Sequence, residues 1–325
     1  MTRGILGIDI AKDTYDVALV VDEQSHSRKF KNREEEFGKL AKWLSQKGVS
    51  EVHACMEATG RYGDALAHWL HGQGHTVSIV NPMVIRAYGM SQMARNKTDK
   101  VDAALIARYC QKEEPRAWAP APPEVAELQA LLQELEALQT ARIQESNRLQ
   151  SGIVSKYVRE TIEAHVRFLD EQIERMKARI DEHMDGDAKL NHQRQLLSSI
   201  PGIGGLTAAR LAAAQLDRFA DGRAAAAYAG LSPAVGESGS SVRRKTKLSK
   251  RGNAGLRKAL YWPAIVGLTC NPVVKAMGER LKEKHKHAMV VIGAAMRKML
   301  CLAYGVLKSD QPFDAEYMAK RAQAA

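Results

Sequence analysis

The sequence predicts three successive regions: an α/β domain, a pair of coiled-coil helices and a mostly α-helical domain. Strand-like and helix-like segments alternate over about the first 115 residues. A Pro-rich break at 113–124 is followed by about sixty residues almost free of Gly and Pro, and the composition changes again from Leu190. We therefore place the domains at 1–115, 116–188 (linker and coiled coil) and 189–325.

The first domain has the pattern of a mixed sheet covered by helices. Segments 4–11, 15–21 and 27–32 have strand composition and are joined by short polar turns. Further strands are predicted at 51–57 and 76–81, with helices before, between and after them up to residue 112. A three-strand meander followed by alternating helices and strands is the order found in ribonuclease-H-like folds.

The middle region has the heptad pattern of a coiled coil. Its apolar residues recur at alternating spacings of four and three, at Ile162, Val166, Leu169, Ile173, Met176 and Ile180, and earlier at Val125, Leu128, Leu132 and Leu135. Such a stripe requires burial. We predict two helical arms over 124–185, packed on each other or on a second subunit.

Composition narrows the classes of partner. The chain has 325 residues, a formal net charge of +11 and a pI of about 9.4. This surplus favours a polyanionic partner, with nucleic acid first and an anionic membrane surface second. The four cysteines are far apart, which argues against a zinc site or a disulfide framework and suits a reducing cytoplasm.

No membrane-spanning or signal segment is predicted. The apolar run 288–307 has spanning length, but Arg297 and Lys298 lie in its middle, so we interpret it as a buried helix. The N-terminal apolar run is too short for a signal peptide.

Four acidic residues are candidate metal ligands. Asp9 lies inside the first strand between Ile8 and Ile10, and Glu57 ends the fourth strand. Asp99 and Asp102, three residues apart, share one helical face. A helix N-terminus could favour this pair without a metal. If strands one and four are neighbours, all four acids can converge, and oxygen-only clusters suit Mg²⁺ or Mn²⁺. The segment "GIDIAKDTYDVAL" also resembles the phosphate loop of actin-like ATPases, but their second Gly-rich Asp loop is not evident downstream.

The turn "IPGIGG" resembles a helix-hairpin-helix. Gly202 and Gly204 permit a tight turn whose backbone N–H groups can meet a phosphate, helped by the following helix N-terminus. A simple helix–helix turn is the alternative interpretation. If the resemblance holds, this turn binds nucleic acid without reading its sequence.

The segment 230–255 is predicted to be a loop rich in Gly, Ser, Lys and Arg. Eight cations fall between residues 243 and 258, a density that predicts a salt-sensitive polyanion-binding surface. They are Arg243, Arg244, Lys245, Lys247, Lys250, Arg251, Arg257 and Lys258. Ser238, Ser240 and Ser241 lie just upstream. Since a serine hydroxyl requires activation and no His is near in sequence, the pattern alone does not identify a nucleophile.

The ordered set of motifs resembles the insertion-sequence transposases of the one-hundred-and-ten type. The motifs are "GIDIAKDTYDVAL", "MEATGRY", "VNP", "KTDKVDA", "IPGIGGLTA", "YAGLSP", "ESG" and "LSKRGNAGLRKAL". This resemblance implies a RuvC-like nuclease domain whose acidic quartet is Asp9, Glu57, Asp99 and Asp102. It also implies a C-terminal domain whose nucleophilic serine is Ser238, although Ser240 and Ser241 follow closely.

The resemblance further implies a site-specific DNA recombinase acting through a phosphoserine intermediate. Its partners would be donor and target DNA and an element-encoded guide (bridge) RNA, with base pairing supplying the choice of target. The active protein would be a dimer or tetramer joined through the coiled coil, acting in a bacterial or archaeal cytoplasm, and one subunit's nuclease domain would face another's serine. Lys97 and Lys100 would lie at the edge of the metal site, available to DNA phosphates.

Two further hypotheses stay open at this point. One is a metal-dependent, structure-selective endonuclease acting on branched DNA without a serine intermediate. The other is a non-enzymatic coiled-coil protein that binds nucleic acid and carries a degenerate nuclease domain.

Overall fold

The computed structural model describes residues 2–22, 24–58, 60–92, 99–152, 155–238 and 242–316. The structure describes the backbone but not the side chains of residues 2, 99–100, 235–238 and 242–246. The chain divides into two compact units, Met1–Ala121 and Pro122–Ala325. The predicted division into three domains stays a prediction.

The first unit is built on a five-stranded mixed sheet with strand order β3-β2-β1-β4-β5. Its strands are β1 (Thr2–Ile10), β2 (Thr14–Val21), β3 (Gln24–Lys31), β4 (Val49–Glu57) and β5 (Thr76–Val80). The first three strands form an antiparallel meander, whereas β4 runs parallel to β1 and β5 parallel to β4. The predicted α/β organisation of the N-terminal region is confirmed, and β1 and β4 are neighbours.

Helices cover both faces of this sheet. They are α1 (Phe37–Gln46), α2 (Asp64–Gly72), α3 (Pro82–Ser91) and α4 (Asp99–Glu113), with a 3-10 turn at Glu34–Glu36 before α1. Leu6 and Ile8 of β1 pack in the core that contains α1 and α2. The opposite face meets α4, whose Ala103 and Ala107 lie against Ala18 of β2. The sheet is therefore the middle of three layers.

Gly7 allows α4 to approach the central strand closely. A Cβ atom added at Gly7 would lie 2.2 Å from the carbonyl oxygen of Ala103 and 2.3 Å from the backbone nitrogen of Ala107. Both neighbours are helix backbone, which cannot move aside as the end of a flexible side chain could. The absence of a side chain at position 7 therefore fixes where α4 lies on the sheet.

We expect Gly7→Ala to destabilise the first unit by about 3 kcal/mol, because one methyl group would push a packed helix from the sheet. The matched control is Gly38→Ala in α1, where an added Cβ meets nothing within 4 Å. Since Ala favours helix over Gly, this control should raise stability by about 0.5–1 kcal/mol. Thermal unfolding followed by tryptophan fluorescence measures both effects, since Trp43, Trp69 and Trp118 lie in the first unit. Equal melting temperatures for the two variants would contradict the packing role of Gly7.

Tyr15 places a hydroxyl group in the apolar core of the first unit. Its side chain is fully buried, and the hydroxyl has no hydrogen-bond partner in the part of the chain that the structure describes. Burial, together with the charge of Glu36, raises the pKa of this phenol above its ordinary value. The ring stacks on Phe30 with centroids 5.5 Å apart.

We expect Tyr15→Phe to raise the free energy of unfolding by about 1 kcal/mol. The substitution keeps the ring contacts and removes a buried hydroxyl that pays its desolvation cost without a bond. Chemical denaturation of the two proteins side by side measures the difference. A loss of stability would mean that the hydroxyl has a partner, such as a bound water.

The second unit begins with two long antiparallel helices, α5 (Pro123–Gln150) and α6 (Lys156–Gly186). Ion pairs cross between them at Arg142–Asp170, 3.0 Å, and at His165–Glu145, 3.3 Å. The buried residues include Leu128, Leu132 and Leu135 of α5 and Ile162, Leu169 and Ile173 of α6. The two predicted arms therefore pack on each other within one chain, and a coiled coil between subunits stays a prediction.

The rest of the second unit is mostly helical. Its helices are α7 (Ala188–Ser198), α8 (Gly205–Ala213), α9 (Gly222–Tyr228), α10 (Ala254–Ala259), α11 (Tyr261–Cys270), α12 (Pro272–Glu283) and α13 (Ala288–Ser309). A two-stranded antiparallel sheet, β6 (Pro233–Ser238) and β7 (Val242–Leu248), separates α9 from α10. The predicted loop over 230–255 is thus wrong for these two segments. Val242, Thr246 and Leu248 fall on alternate positions of β7, with the cation Arg244 between the first two, and the β-branched Val242 and Thr246 favour a strand despite the Gly- and Ser-rich composition.

Helix α13 is the one helix in the described ranges that is long and apolar enough to cross a membrane, by length and composition only. Its residues Met299, Leu300 and Ala303 are completely buried inside the second unit. Tyr304 donates a hydrogen bond to the carbonyl oxygen of Ala220, at 3.0 Å. These contacts agree with the interpretation of 288–307 as a buried helix.

Candidate catalytic and nucleic-acid-binding residues

Asp9 and Glu57 occupy corresponding positions on two neighbouring strands. In the parallel register of β1 and β4, Gly7 pairs with Cys55 and Ile8 with Met56, so Asp9 and Glu57 are the next residues of the two strands. Because side chains alternate along a strand, Asp9 lies on the same sheet face as Gly7, the face that α4 covers. Both acids are partly buried.

The first turn of α4 reaches the level of these two acids. Near its other end, Cys110 donates a hydrogen bond to the carbonyl oxygen of His53, at 3.7 Å, and His53 pairs with Ile5 of β1. At the middle of the helix, Ala103 and Ala107 contact Gly7. The helix therefore runs antiparallel to β1.

Helical and strand rises give the position of the first turn of α4. Four helical residues back from Ala103 to Asp99 advance about 6 Å. Two strand residues from Gly7 to Asp9 advance about 6.6 Å. The backbone of Asp99 thus lies near the level of Asp9, with partly buried Asp102 in the same turn.

Asp16 is a further carboxylate on this face, outside the predicted quartet. It pairs directly with Asp9 in the antiparallel register of β1 and β2, and only 16% of its side chain is exposed. Two acids opposite each other repel. Lys29, opposite Asp16 on β3, offsets that repulsion with an ion pair of 3.0 Å. The signal in the sequence was the period-two placement of Asp16 in an otherwise apolar strand.

The donor types at this end of the sheet fit a divalent cation, since Mg²⁺ and Mn²⁺ prefer carboxylate oxygens. Asp9, Glu57 and the first turn of α4 are positioned by adjacent elements on one face. Among the side chains that the structure describes, however, no three acids, histidines or cysteines gather into a metal-binding group. The side chain of Asp99 is outside that set, so the described carboxylates alone do not complete a site.

Two cysteines pack under α4 and hold it to the sheet. Cys55 of β4 and Cys110 of α4 are both completely buried and neither forms a disulfide. The hydrogen bond with Cys110, and then burial, raise the pKa of the Cys55 thiol well above its ordinary value. The same hydrogen bond lowers the pKa of the Cys110 thiol. Both side chains contribute packing between α4 and the sheet.

The "IPGIGG" turn connects α7 to α8, as the sequence suggested, and its two glycines have different surroundings. Gly202 has a φ of +99°, and an added Cβ would lie 3.1 Å from the carbonyl oxygen of Pro263. It therefore packs against α11. Gly204 is the exposed N-cap of α8 and has nothing within 4 Å of an added Cβ. Phosphate binding at this turn stays a prediction, for which Gly204 and the following amides are accessible.

The eight predicted cations lie on consecutive elements of the second unit. Strand β7 contains Arg243, Arg244 and Lys245, for which the structure describes the backbone. Lys247, near the end of the strand, is exposed. Lys250 and Arg251 are exposed in the turn after β7, whereas Arg257 and Lys258 lie in α10.

Backbone hydrogen bonds fix the turn that carries Lys250 and Arg251. The N–H of Lys250 donates to the carbonyl oxygen of Gly230, at 3.1 Å, and that of Asn253 to Tyr228, at 2.7 Å. The predicted cation Lys97 lies outside the described residues, and Lys100 is described as a backbone position in the first turn of α4.

Ser238 is the last residue of β6, where its backbone pairs with Val242. Its side chain lies outside those that the structure describes, as do Ser240 and Ser241 entirely. The nucleophile assignment therefore stays a prediction. Ser238 therefore lies at the end of a strand that is hydrogen-bonded to the basic strand β7.

Comparison with known proteins identifies the class. Residues 6–157 match the family model DEDD_Tnp_IS110, described as a transposase, and residues 194–279 match the model described as "Transposase IS116/IS110/IS902 family". Together these matches cover both units and define an insertion-sequence transposase. The chain belongs to the IS110 family of transposases.

Curated relatives extend over nearly the whole chain. The pilin gene-inverting proteins of Moraxella bovis and Moraxella lacunata are 36% and 35% identical to it over 319 residues, which is 97% of this chain and 98% of each relative. The transposase for insertion sequence element IS1111A of Coxiella burnetii (strain RSA 493 / Nine Mile phase I) is 27% identical over 293 residues, covering 79% of this chain and 75% of that protein.

Proposed function

We propose that this protein is a site-specific DNA recombinase that uses a metal-bound acidic quartet and a nucleophilic serine. The observation that carries the proposal is the meeting of Asp9 and Glu57 on neighbouring strands, at the level of the first turn of α4. Such a grouping of partly buried acids on one face of the sheet favours a bound cation, because like charges at close range repel. Asp99 and Asp102, in that first turn, supply the other two carboxylates.

The quartet would hold Mg²⁺ or Mn²⁺, and Asp99 is the member that would complete the ligand set. A bound divalent ion supplies charge stabilisation for a phosphodiester transition state. The residues of the chain supply its position: β1 and β4 fix Asp9 and Glu57, and Gly7 fixes α4. Lys97 and Lys100 would contact DNA phosphates beside the site.

Ser238 would supply the nucleophile for strand transfer. Its hydroxyl oxygen attacks a DNA phosphorus, forming an oxygen–phosphorus bond. The bond from that phosphorus to one deoxyribose oxygen breaks, and this oxygen leaves as a hydroxyl after gaining a proton. The serine proton passes to solvent. Because one phosphoester replaces another, a second DNA hydroxyl can reverse the step and rejoin the strands.

The cations from Arg243 to Lys258 would bind donor DNA, target DNA and an element-encoded guide RNA. The net charge of +11 supports a protein that must bind several polyanions. Base pairing by the guide would choose the sites, while the protein reads backbone and shape. These activities place the protein in the cytoplasm with the nucleoid.

A homo-oligomer, dimer or tetramer, is the proposed active form. Ile143 of α5 and Phe168 of α6 are 55% and 54% exposed, although both are large apolar residues. The ion pair between Arg142 and Asp170 places them in the same part of the helical pair. Burial of this surface against a second copy would stabilise the assembly.

Covalent trapping tests this function. Cells express the protein with the DNA that flanks its gene, so that any element-encoded RNA is present. After denaturing extraction and nuclease digestion, mass spectrometry searches for a nucleotide on the peptide that contains Ser238. An adduct supports the recombinase, and cut DNA without an adduct supports the structure-selective endonuclease. Neither cutting nor adduct, with substrate DNA present, supports the non-enzymatic binding protein.

Inversion of a DNA segment is a second candidate outcome of the same chemistry. It is favoured by the 36% identity to a protein named for pilin gene inversion. A plasmid whose flanking sites are placed in inverted and in direct orientation distinguishes inversion from excision, as read by sequencing across the junctions.

A further inference from the structure

A groove in the second unit brings together the start of a helix, a group of cations and an exposed tryptophan. None of these residues is among the proposed catalytic residues. The groove lies among α5, α8, α10 and α11 and has a volume of about 710 Å³. The start of α8, just after the exposed Gly204, forms one wall, and the cations of α10 form another. The exposed Trp262 of α11 also lines the groove. This volume is in the range of sites that enclose a small organic group.

Trp262 is the most unusual residue of this groove. It is 70% exposed, whereas Trp43, Trp69 and Trp118, the other tryptophans of the chain, are buried or half-buried. The Tyr261 ring stands nearly perpendicular beside it, with centroids 5.7 Å apart and planes at 80°. A large aromatic face held at the surface by the start of a helix is available for stacking.

The charges around Trp262 favour an anionic ligand. Arg210, Arg257 and Lys258 line the groove, and no carboxylate is among its lining residues in the described part of the chain. Lys258 forms an ion pair of 3.1 Å with Glu136 outside the groove, and Arg257 donates to the carbonyl oxygen of Ala229, at 3.0 Å. The part-buried bond of Arg257 orients its guanidinium, whereas the Lys258–Glu136 pair is exposed and holds that lysine weakly.

We propose that this groove binds an unpaired nucleotide of a single-stranded nucleic acid, with its base stacked on Trp262 and its phosphate held by Arg210, Arg257 and Lys258. Stacking requires a base freed from its duplex, because paired bases hide their faces. The ligand rests on the proposed function, which supplies two sources: the guide RNA and a DNA strand opened at the recombination site. Both offer the same chemistry to Trp262.

Fluorescence anisotropy with the full-length protein tests the proposal. The probes are labelled oligouridylate and oligothymidylate of equal length and a DNA duplex of that length. We expect Trp262→Ala to weaken single-strand binding about tenfold, the loss typical of one base–aromatic stack. Duplex binding should not change. Trp262→Phe keeps an aromatic face and should retain most of the affinity.

Val266→Ala is the matched control. Val266 lies one turn further along α11, is 49% exposed, and does not line the groove, so its removal should leave all three affinities unchanged. If Trp262→Ala binds both single strands as well as the unmodified protein does, the proposal is overturned. Equal losses for single strands and duplex would also overturn it, because they indicate a general basic surface. So would a change of oligomeric state without loss of binding, which indicates a protein interface.

The outcomes separate this proposal from the recombinase itself. Binding requires no chemistry, so Trp262-dependent binding can be measured in the Glu57→Gln variant as well. If no Ser238 adduct is trapped but Trp262-dependent binding persists, the proposed recombinase function is contradicted, whereas the proposed nucleotide-binding groove is supported. A dependence limited to oligouridylate identifies the guide RNA as the source, and one limited to oligothymidylate identifies the opened DNA strand.

Discussion

Glu57→Gln should lower the rate of DNA strand cleavage by about a thousandfold, while leaving nucleic-acid affinity unchanged. The substitution keeps the size of the side chain and its ability to hydrogen bond, and it removes one negative charge. A metal ligand that loses its charge costs several kcal/mol of transition-state stabilisation, and about 4 kcal/mol corresponds to a thousandfold in rate. Single-turnover cleavage of end-labelled substrate, with Mg²⁺ and then with Mn²⁺, measures the effect.

Glu51→Gln is the control for this variant because it makes the same change on the same strand. Glu51 is exposed and its ion pair with Arg3, at 3.7 Å, lies on the surface, where such pairs contribute little. We expect cleavage at the unmodified rate. If Glu57→Gln and Glu51→Gln retain equal activity, Glu57 is not a ligand, and the acids at the end of β1 and β4 would have a structural role.

The local sequence pattern identified Asp9 and Glu57 as candidate ligands. That these two residues lie side by side depends on the order of the strands in the sheet. Asp9 and Glu57 could be recognised as polar residues in apolar strands, but no local pattern requires β1 to pair with β4. The same limit explains why Asp16 was not among the predicted acids of this site. Its position in β2 was visible, yet its contact with Asp9 depends on the register of the hairpin, which places these two residues opposite each other.

Tertiary packing also determines the surroundings of Gly202 and the strands within 230–255, which the composition did not predict. Gly202 suggested a phosphate-binding turn, but its backbone lies against α11, a helix about sixty residues later in the chain. The segment 230–255 suggested a loop because Gly, Ser and Lys dominate it, whereas strand pairing satisfies the backbone of β6 and β7. The helical arms were predictable because a periodic apolar stripe over many residues leaves few alternatives.

Ser238→Ala should abolish the covalent protein–DNA intermediate completely. Removal of the hydroxyl oxygen removes the atom that would form the bond to phosphorus, and solvent cannot replace it in a covalent link to the protein. Metal-dependent nicking by the acidic quartet can persist at a low level, because that site is intact. Denaturing gel electrophoresis of radiolabelled DNA detects the adduct, and junction sequencing measures recombination.

Ser240→Ala and Ser241→Ala are the matched controls, since each makes the same change within three residues of Ser238. The proposal requires both variants to form the adduct at the unmodified level. Loss of the adduct in one of them, with retention in Ser238→Ala, would move the nucleophile to that serine and keep the recombinase. Retention in all three variants would place the link on another residue. Because Ser238 ends a paired strand, a circular dichroism spectrum and melting temperature equal to those of the unmodified protein must accompany the loss, so that it reports the hydroxyl rather than the hairpin.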